Sequence, residues 1–453
     1  MGVLAIEQIE ELRQGFAGAV VAPGDADYDE VRRIHNGLVD KRPALIVRCA
    51  GVEDVAAALR VGRDAGLEIS VRGGGHNVAG KAVTDGGVMI DLSLLKNVEV
   101  DPVRRTITVG GGVTWGELNL AAHEHGLATT GGVVSTTGIG GLTLGGGIGW
   151  LLGKYGLAID NLLSAQVVLA SGEVVRASEE SEPDLFWAIR GGGGNFGVVT
   201  EFSYRVHPLR TVLGGAAVHP LAATPEVFAF YREFTLSLPD DLSVFLALRH
   251  SPDGSAMKLC GVAVCHAGQN EQEAELEVNP VRWFGPPAMD LIERIPYPVV
   301  NTTLDDAFQR GSLNYWKSAF FAELNDQVVT KLVDAYENAP SPLCFIVVEH
   351  FHGAAVRVSP VATAFPHRQA GYDCVIISQW DDPAQSESGV RWARETYESL
   401  RPHMADSAYV NYLDNDDASR IRAAYGPNYD RLVQLKRRFD PDNIFRLNQN
   451  IVP

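Results

Sequence analysis

The stretch Val71-Arg-Gly-Gly-Gly-His-Asn77 places three glycines and a histidine directly after an apolar segment. That segment, Ile69–Arg72, is predicted to be a β-strand. It follows a buried strand at residues 44–49 and a helix over Glu53–Gly66 with an apolar stripe. The pattern predicts a βαβ unit whose second strand ends in the glycine run. Because ligands of α/β units gather at the carboxyl ends of strands, we expect a ligand at this loop.

Glycine recurs in bursts after this first run. The further bursts are Gly110–Gly112, Gly145–Gly147 and Gly191–Gly194, and 28 of the 47 glycines lie between residues 72 and 200. Glycine lets the backbone approach a ligand closely. Consecutive backbone N–H groups also form anion-binding nests. The distribution therefore predicts a chain wrapped around a large, flat, phosphate-bearing molecule. His76, directly after the first run, is either a loop histidine with ordinary hydrogen bonds or a tether for that molecule.

The remaining pattern predicts two domains. In the first part we expect strands at Val88–Leu92, Arg105–Val109 and Val198–Val206, helices at Trp115–His125 and Asp184–Ile189, and a hairpin of Ala165–Leu169 with Glu173–Arg176. Residues 131–149 read as a glycine-rich loop with little regular structure. Beyond residue 207 glycine becomes sparse. Helices are expected there at Thr224–Leu236, Gln327–Ala339 and Gly389–Met404, and strands at Ser243–Leu248, Leu259–Val264, Leu343–Phe351 and Cys374–Trp380. The expected domains are 1–207, with 401–453 packing back on it, and a substrate-binding domain over 208–400.

Two nucleotide-binding motifs are disfavoured. Gly192–Gly197 matches G-x-G-x-x-G, but the predicted order is helix, loop, strand, whereas a Rossmann site needs strand, loop, helix. A P-loop G-x-x-x-x-G-K-[ST] motif is missing from the sequence. The glycines therefore predict neither an NAD-binding Rossmann domain nor a P-loop nucleotidase.

Composition restricts the partners. The net charge of −18 disfavours nucleic acid and anionic membranes. No apolar run approaches the ~18 residues of a spanning helix, and the N-terminal segment lacks a signal peptide, so we expect a cytoplasmic protein. The five cysteines include no C-x-x-C pair. The spacings His123-Glu-His125 and His350-Phe-His352 lack an evident third ligand, so we predict no metal.

Five motifs together resemble the berberine-bridge-enzyme-like FAD-linked oxidases, in their bacterial type. They are Val71–Val78, Gly138–Gly149, Lys154–Leu157, Arg190–Gly197 and Tyr409–Tyr412. These enzymes belong to the vanillyl-alcohol-oxidase type, also called the PCMH type, of FAD-binding fold. The resemblance implies an α+β fold. It comprises a two-subdomain FAD-binding domain and an α/β substrate domain with an antiparallel sheet.

The resemblance also implies a covalently held cofactor. In the family that the chain resembles, the histidine after the glycine run is bonded to the flavin 8α-methyl carbon. His76 stands at that position. Many relatives add a cysteine tether, but Val134 occupies that place and no cysteine lies between residues 50 and 259. We therefore expect FAD attached through His76 alone. The resemblance implies cofactor contacts from Arg72, Gly73, Gly74, Gly75, Asn77, Val78, Thr137, Gly138, Gly140, Gly141, Thr143, Gly145, Gly147, Asp160, Gly194, Val199 and Asn448.

The chemistry implied is transfer of a hydride from an alcohol or amine carbon to FAD. Dioxygen then reoxidises the cofactor and yields hydrogen peroxide. Tyr409 and Tyr412 are the preferred base candidates, with Asn411 or Lys317 expected to lower a phenol pKa, and Glu349 is a rival base. A sugar, an alkaloid-like amine or a secondary metabolite is the expected small-molecule substrate, and the chain is expected to be a monomer or homodimer. A flavin dehydrogenase using another acceptor and a non-catalytic flavin-binding protein are the alternatives.

Overall fold

The computed structural model describes residues 6–251, 253, 255 and 257–453. The first five residues, which belong to the segment used above to judge a signal peptide, lie outside this range. Within it, no helix combines the length and apolarity needed to cross a bilayer.

In the described part of the N-terminal half, the strands form three small sheets. They are β1 (Ala19–Val21), β2 (Leu45–Arg48), β3 (Ile69–Arg72), β4 (Val88–Asp91), β5 (Val98–Asp101), β6 (Thr106–Gly110), β7 (Leu127–Ala128), β8 (Leu162–Val168), β9 (Val174–Ser178), β10 (Val198–Arg205) and β11 (His207–Pro208). The sheet orders are β1-β2-β4-β3, β5-β6-β10-β8-β9 and β7-β11. The predicted FAD-binding part thus contains a four-stranded, a five-stranded and a two-stranded sheet.

The predicted βαβ unit is present, with one strand inserted. β2 and β3 both pair in parallel with β4, which lies between them. The crossover helix, Val52–Asp64, buries Val55, Ala58 and Leu59. The glycine loop therefore begins at the carboxyl end of the edge strand β3, as the sequence predicts.

The second half contributes one large sheet, antiparallel throughout the pairings below. Its strands are β12 (Thr211–Pro220), β13 (Leu242–His250), β14 (Lys258–His266), β15 (Met289–Asp290), β16 (Glu293–Pro296), β17 (Leu313–Phe321), β18 (Phe345–Phe351) and β19 (Gly371–Trp380). Their order is β15-β12-β14-β13-β18-β19-β17, with β16 also paired to β12. One face of the sheet packs on helices in an apolar core, and the other faces the N-terminal half.

The helices follow in chain order. They are α1 (Ile6–Gly15), α2 (Tyr28–Val31), α3 (Val52–Asp64), α4 (Trp115–Glu124), α5 (Ile139–Gly145), α6 (Leu152–Tyr155), α7 (Ala158–Asn161), α8 (Pro183–Ile189), α9 (Thr224–Thr235), α10 (Glu271–Trp283), α11 (Tyr297–Val300), α12 (Asp326–Glu337), α13 (Ala354–Arg357), α14 (Ser386–Leu400), α15 (Ile421–Tyr425) and α16 (Tyr429–Phe439).

One sequence prediction is wrong. Residues 131–149 were expected to be a loop with little regular structure, yet they contain the seven-residue helix α5. The helix starts after the extended Gly138 and stops at Gly146, whose φ is 137°. Burial of Ile139 and Thr143 compensates for the poor helix propensity of its glycines.

The last fifty residues contact the glycine-rich region. The buried Lys436 ammonium donates to the carbonyl oxygen of Asn195 at 2.9 Å and pairs with Asp440. The Asn195 amide in turn donates to the carbonyl of Gln449. These bonds place the C-terminal segment beside the fourth glycine burst.

Candidate active site

A cavity of about 320 Å³ lies between the glycine-rich loops and the face of the large sheet. One wall comes from residues 73–77, 137–138, 140–142, 193–194 and 197–199, and the opposite wall from β17, β18 and β19. The cavity therefore joins the two halves of the chain.

The first two glycine runs approach each other too closely for side chains. A Cβ atom built on Gly74 would collide with the backbone nitrogen of Gly138, and one on Gly138 would collide with Gly74. Gly75 has a φ of 71°, in the left-handed region that favours glycine. The need for glycine at these positions is therefore steric.

Other glycines leave space on the cavity side. A Cβ atom on Gly141 or Gly194 would meet no atom within 4 Å. Among the described residues, none accepts a hydrogen bond from the backbone N–H groups of Gly74–Asn77. The side-chain oxygen of Asn448, which also lines the cavity, is buried without a partner. Free donors, open glycine surfaces and an unpaired amide oxygen suit a flat molecule with phosphates.

The ring of His76 is held at the junction of the two glycine runs. Its Nε2 lies 2.9 Å from Thr136 Oγ1, and its Nδ1 lies 3.5 Å from Thr137 Oγ1. Burial, and secondly the neighbouring His35, lower the pKa of His76 to about 3. The imidazole is therefore neutral at physiological pH, and one of its two ring nitrogens carries a lone pair.

Val134 occupies the position where the resemblance would put a second tether. It is buried and lines the cavity. The five cysteines are all free and buried, and none belongs to the cavity wall. Among the described residues, a cysteine tether to a ligand in this cavity is thus not available.

The wall formed by the large sheet is apolar and aromatic. Its side chains include Phe345 and Val347 of β18, Val375 and Ile377 of β19, and Trp316 of β17. Of the aromatic residues Tyr315, Trp316 and Trp380 of this sheet, only Trp316 lines the cavity. Tyr315 bonds to Asp416, and Trp380 packs in the helix-covered core.

Glu349 is the carboxylate of this wall. It is 3% exposed and follows Val347 on the same face of β18. The Tyr412 hydroxyl donates to its two oxygens, at 3.2 and 3.3 Å. Burial raises the pKa of Glu349 to about 8, although the Tyr412 hydrogen bond opposes the shift. The carboxyl group is therefore poised to exchange a proton near neutral pH.

The two tyrosines differ in position. Tyr412 lines the cavity, whereas Tyr409 is buried beneath it and packs edge-on against Tyr412 at 4.8 Å. The Tyr409 hydroxyl accepts from the Gly147 N–H at 2.9 Å and from the Asn411 amide at 2.8 Å. The expectation of a lowered phenol pKa is wrong, because burial raises the pKa of both tyrosines.

Lys317 is separated from this group. Its ammonium pairs with Asp416 at 2.6 Å and Asp417 at 2.9 Å, and it does not line the cavity. Burial acts to lower its pKa, but these ion pairs outweigh that effect and raise it. Asn411 does line the cavity, and its amide also donates to the Leu142 carbonyl.

The cavity brings together most of the predicted cofactor contacts. Those that line it are Gly73, Gly74, Gly75, His76, Asn77, Thr137, Gly138, Gly140, Gly141, Gly194, Val199 and Asn448. Six others lie outside its wall: Arg72, Val78, Thr143, Gly145, Gly147 and Asp160.

Several of these six have protein partners instead. Arg72 pairs with the buried Asp91 at 2.6 Å, and Asp160 pairs with Arg368 at 2.7 Å. Thr143 lies 2.8 Å from the Tyr204 hydroxyl. A Cβ atom on Gly147 would collide with Ala158. These residues support the loops around the cavity rather than line it.

Sequence reasoning missed one charged residue of the wall. Lys81 lies just after the first glycine run, and its backbone N–H bonds to the Asn77 side chain. No described residue accepts a hydrogen bond or ion pair from its ammonium group. The sequence signal was a lone lysine within eight residues of the glycine run, which pattern analysis gave no role.

Comparison with known proteins agrees with this geometry. Residues 43–178 match the FAD binding domain family, and residues 408–452 match the family described as berberine and berberine like. (R)-6-hydroxynicotine oxidase of Paenarthrobacter nicotinovorans is 33% identical over 96% of this chain and 97% of its own length. An FAD-linked oxidoreductase of Dictyostelium discoideum is 31% identical over 99% of this chain and 98% of its own.

The chain belongs to the berberine-bridge-enzyme-like family of FAD-linked oxidoreductases. Its fold matches that of 6-hydroxy-D-nicotine oxidase from Arthrobacter nicotinovorans, with a TM-score of 0.86 and 31% identity over 97% of this chain and 98% of that one. Berberine bridge enzyme from Eschscholzia californica shares the fold, with a TM-score of 0.87, at 22% identity over 99% of both chains. The enzyme therefore uses FAD, and the glycine cradle described above fits that cofactor.

Proposed function

We propose that this FAD-linked oxidoreductase is an oxidase that removes a hydride from an alcohol or amine carbon of a small substrate, with dioxygen as the final acceptor. The proposal rests on the position and the burial of Glu349. A buried carboxyl group with a raised pKa projects from an apolar wall into the cavity that faces the glycine cradle. Such a group is suited to general-base work at neutral pH.

Each side chain of the site has a separate role in the proposed reaction. Bound FAD would accept the hydride released by the substrate carbon. Glu349, once ionised, takes the proton from the substrate hydroxyl or amine. Tyr412 orients the carboxylate by donating a hydrogen bond from its hydroxyl group to the carboxylate oxygens. Asn411 and Tyr409 hold each other and the Gly147 backbone, and so keep the segment 409–412 in place.

The cavity wall narrows the substrate class. A sugar needs several hydrogen-bonding partners, because buried hydroxyl groups without partners are costly. The wall formed by Trp316, Phe345, Val347, Val375 and Ile377 offers apolar surface instead. Ring compounds with one oxidisable amine or alcohol suit it better. The similarity to 6-hydroxynicotine oxidase supports testing cyclic amines first.

We further propose that FAD is covalently bonded to His76 as its single tether. The other cavity-lining residues of the glycine loops would hold FAD through non-covalent contacts. The cradle of Gly74–Asn77 would receive its diphosphate. The division into 1–207 with 401–453 and 208–400, a cytoplasmic location and a monomer or homodimer also remain proposals.

The test is a screen of cyclic amines and alcohols with the holoprotein. A substrate should bleach the flavin absorbance without oxygen, and in air it should produce one hydrogen peroxide per turnover. Bleaching without peroxide would identify a dehydrogenase. Failure of every compound to bleach the flavin would favour a non-catalytic flavin-binding protein.

Glu349→Gln tests the base with the substrate so identified. We expect its turnover to fall by about 10²- to 10⁴-fold, the usual contribution of a general base. In the wild type, kcat/KM should rise with pH through about 8, because the Glu349 carboxyl group must ionise before it can accept a proton. This rising limb of the pH profile should be absent from the variant. The exposed Glu323→Gln should behave as wild type. An unchanged limb in Glu349→Gln would remove Glu349 from this role.

A further inference from the structure

His35 contacts the ring of His76 directly. The two imidazoles are stacked, with ring centroids 3.9 Å apart and planes inclined by 23°. His35 is 7% exposed, and its Nε2 is buried without a hydrogen-bond partner. Among the described residues, none forms a hydrogen bond with the His35 ring, so hydrogen bonding does not fix the position of this side chain.

The backbone of His35 fixes the ring relative to both halves of the molecule. Its N–H donates to the Gly75 carbonyl at 3.0 Å, in the glycine run that precedes His76. Its carbonyl accepts from the Gly311 N–H at 2.9 Å, just before β17. The stacking surface is therefore built into the scaffold.

The remaining contacts of His76 act on its edge. Thr136 and Thr137 approach the two ring nitrogens, and His35 covers one ring face. Torsion about the Cβ–ring bond of histidine is broad, so an imidazole at the end of a glycine loop would otherwise rotate. Together the three contacts restrict the rotation of the ring.

We propose that His35 is a positioning residue for flavin attachment, which holds the His76 ring in the orientation that bonds to FAD. This rests on the proposed tether. In that reaction a ring nitrogen of His76 forms a bond to the 8α-carbon, and one hydrogen leaves each of the two groups. Dioxygen takes up the two hydrogens and two electrons as hydrogen peroxide.

Two variants separate stacking from hydrogen bonding. His35→Phe keeps an aromatic face and lacks the ring nitrogens, whereas His35→Ala removes the face. Apoprotein is mixed with FAD, and the flavin that stays with acid-precipitated protein is followed over time. Because an aromatic pair contributes about 0.5–1.5 kcal/mol, we expect attachment to slow by up to about tenfold in His35→Ala and to stay near the wild-type rate in His35→Phe.

Non-covalent affinity separates positioning from simple binding. His76→Ala and the double variant His76→Ala/His35→Ala should bind FAD with equal Kd by fluorescence titration. The exposed His125→Ala should attach FAD as the wild type does. Equal attachment rates in the alanine and phenylalanine variants, whether both fast or both slow, would overturn the stacking role, and so would a weakened Kd in the double variant. Wild-type protein that releases all its FAD in acid would instead refute the tether itself.

Discussion

At the scale of single residues, the described part of the cavity wall contains few charged side chains. Of the described residues that line it, Lys81 and Glu349 carry the charged side chains, and they come from different walls. Glu349 lies on the large sheet, whereas Lys81 follows the glycine cradle that comes after β3. Burial, and secondly the nearby Lys41, lower the pKa of Lys81. A partly buried ammonium without a protein partner beside free N–H groups suits a bound phosphate.

Lys81→Met should therefore weaken FAD binding. In the His76→Ala background, which removes the proposed tether, we expect Kd to rise about ten- to a hundredfold, as for loss of a charged hydrogen bond. Added salt should weaken the lysine protein more than the methionine variant, because ions screen a charge pair. Riboflavin, which lacks phosphates, should bind both proteins alike. Lys96→Met, which removes a surface partner of Glu117, is the control; equal Kd values for FAD in all three proteins would contradict the prediction.

At the scale of elements, two glycines at the start of α5 differ in the space around them. Gly138 needs to be glycine because the backbone of Gly74 touches it, whereas Gly141 faces open space. Gly138→Ala should destabilise the apoprotein by about 1–3 kcal/mol, the cost of overpacking. Gly141→Val should leave apoprotein stability nearly unchanged but prevent FAD binding by filling the cradle. Denaturant unfolding and flavin titration of both variants test this, and a strongly destabilised Gly141→Val would contradict it.

Local patterns predicted the elements that carry clear signals. The strand Ile69–Arg72 and the hairpin of β8 and β9 occur where the alternation and turn residues place them. β12 went unrecognised because two glycines and a terminal proline obscure its alternation, and α5 because its glycines disfavour a helix. Both elements depend on tertiary packing that no local window contains.

The candidate site was predictable to the same extent. The glycine runs and His76 form contiguous motifs, so the sequence alone predicts which loops form the cradle. Glu349, Tyr412 and Trp316 meet only because β17, β18 and the segment 409–412 pack together. The sequence therefore offered tyrosine and glutamate as rival bases, and burial, which sets their pKa values, appeared only in the fold.

At the scale of the whole molecule, buried carboxyl groups link stability to pH. Asp373 pairs with Glu349 across β18 and β19, so both side chains lie on the same sheet face. Asp373 is fully buried, and neither of its oxygens has a hydrogen-bond partner among the described residues. Burial, and secondly Glu349, raise the pKa of Asp373 well above 3.8.

The sign of the effect follows from proton linkage. A carboxyl group with a higher pKa in the folded state keeps its proton there after the unfolded chain has lost it. Each such group lowers the free energy of unfolding by about 1.4 kcal/mol per pH unit between its unfolded and folded pKa values. The contribution of Asp373 and Glu349 to the free energy of unfolding should therefore decline as pH rises from mildly acidic values.

Asp373→Asn removes one of these groups. Its Tm should fall less than that of the wild type between pH 5 and pH 9, because the asparagine has no proton to lose. The exposed Asp406→Asn should keep the wild-type slope. The comparison uses slopes rather than single Tm values, so a uniform loss of stability from the unpaired amide does not affect it. Parallel Tm curves for Asp373→Asn and wild type would show that the Asp373 carboxyl does not titrate between the folded and unfolded states as its burial requires.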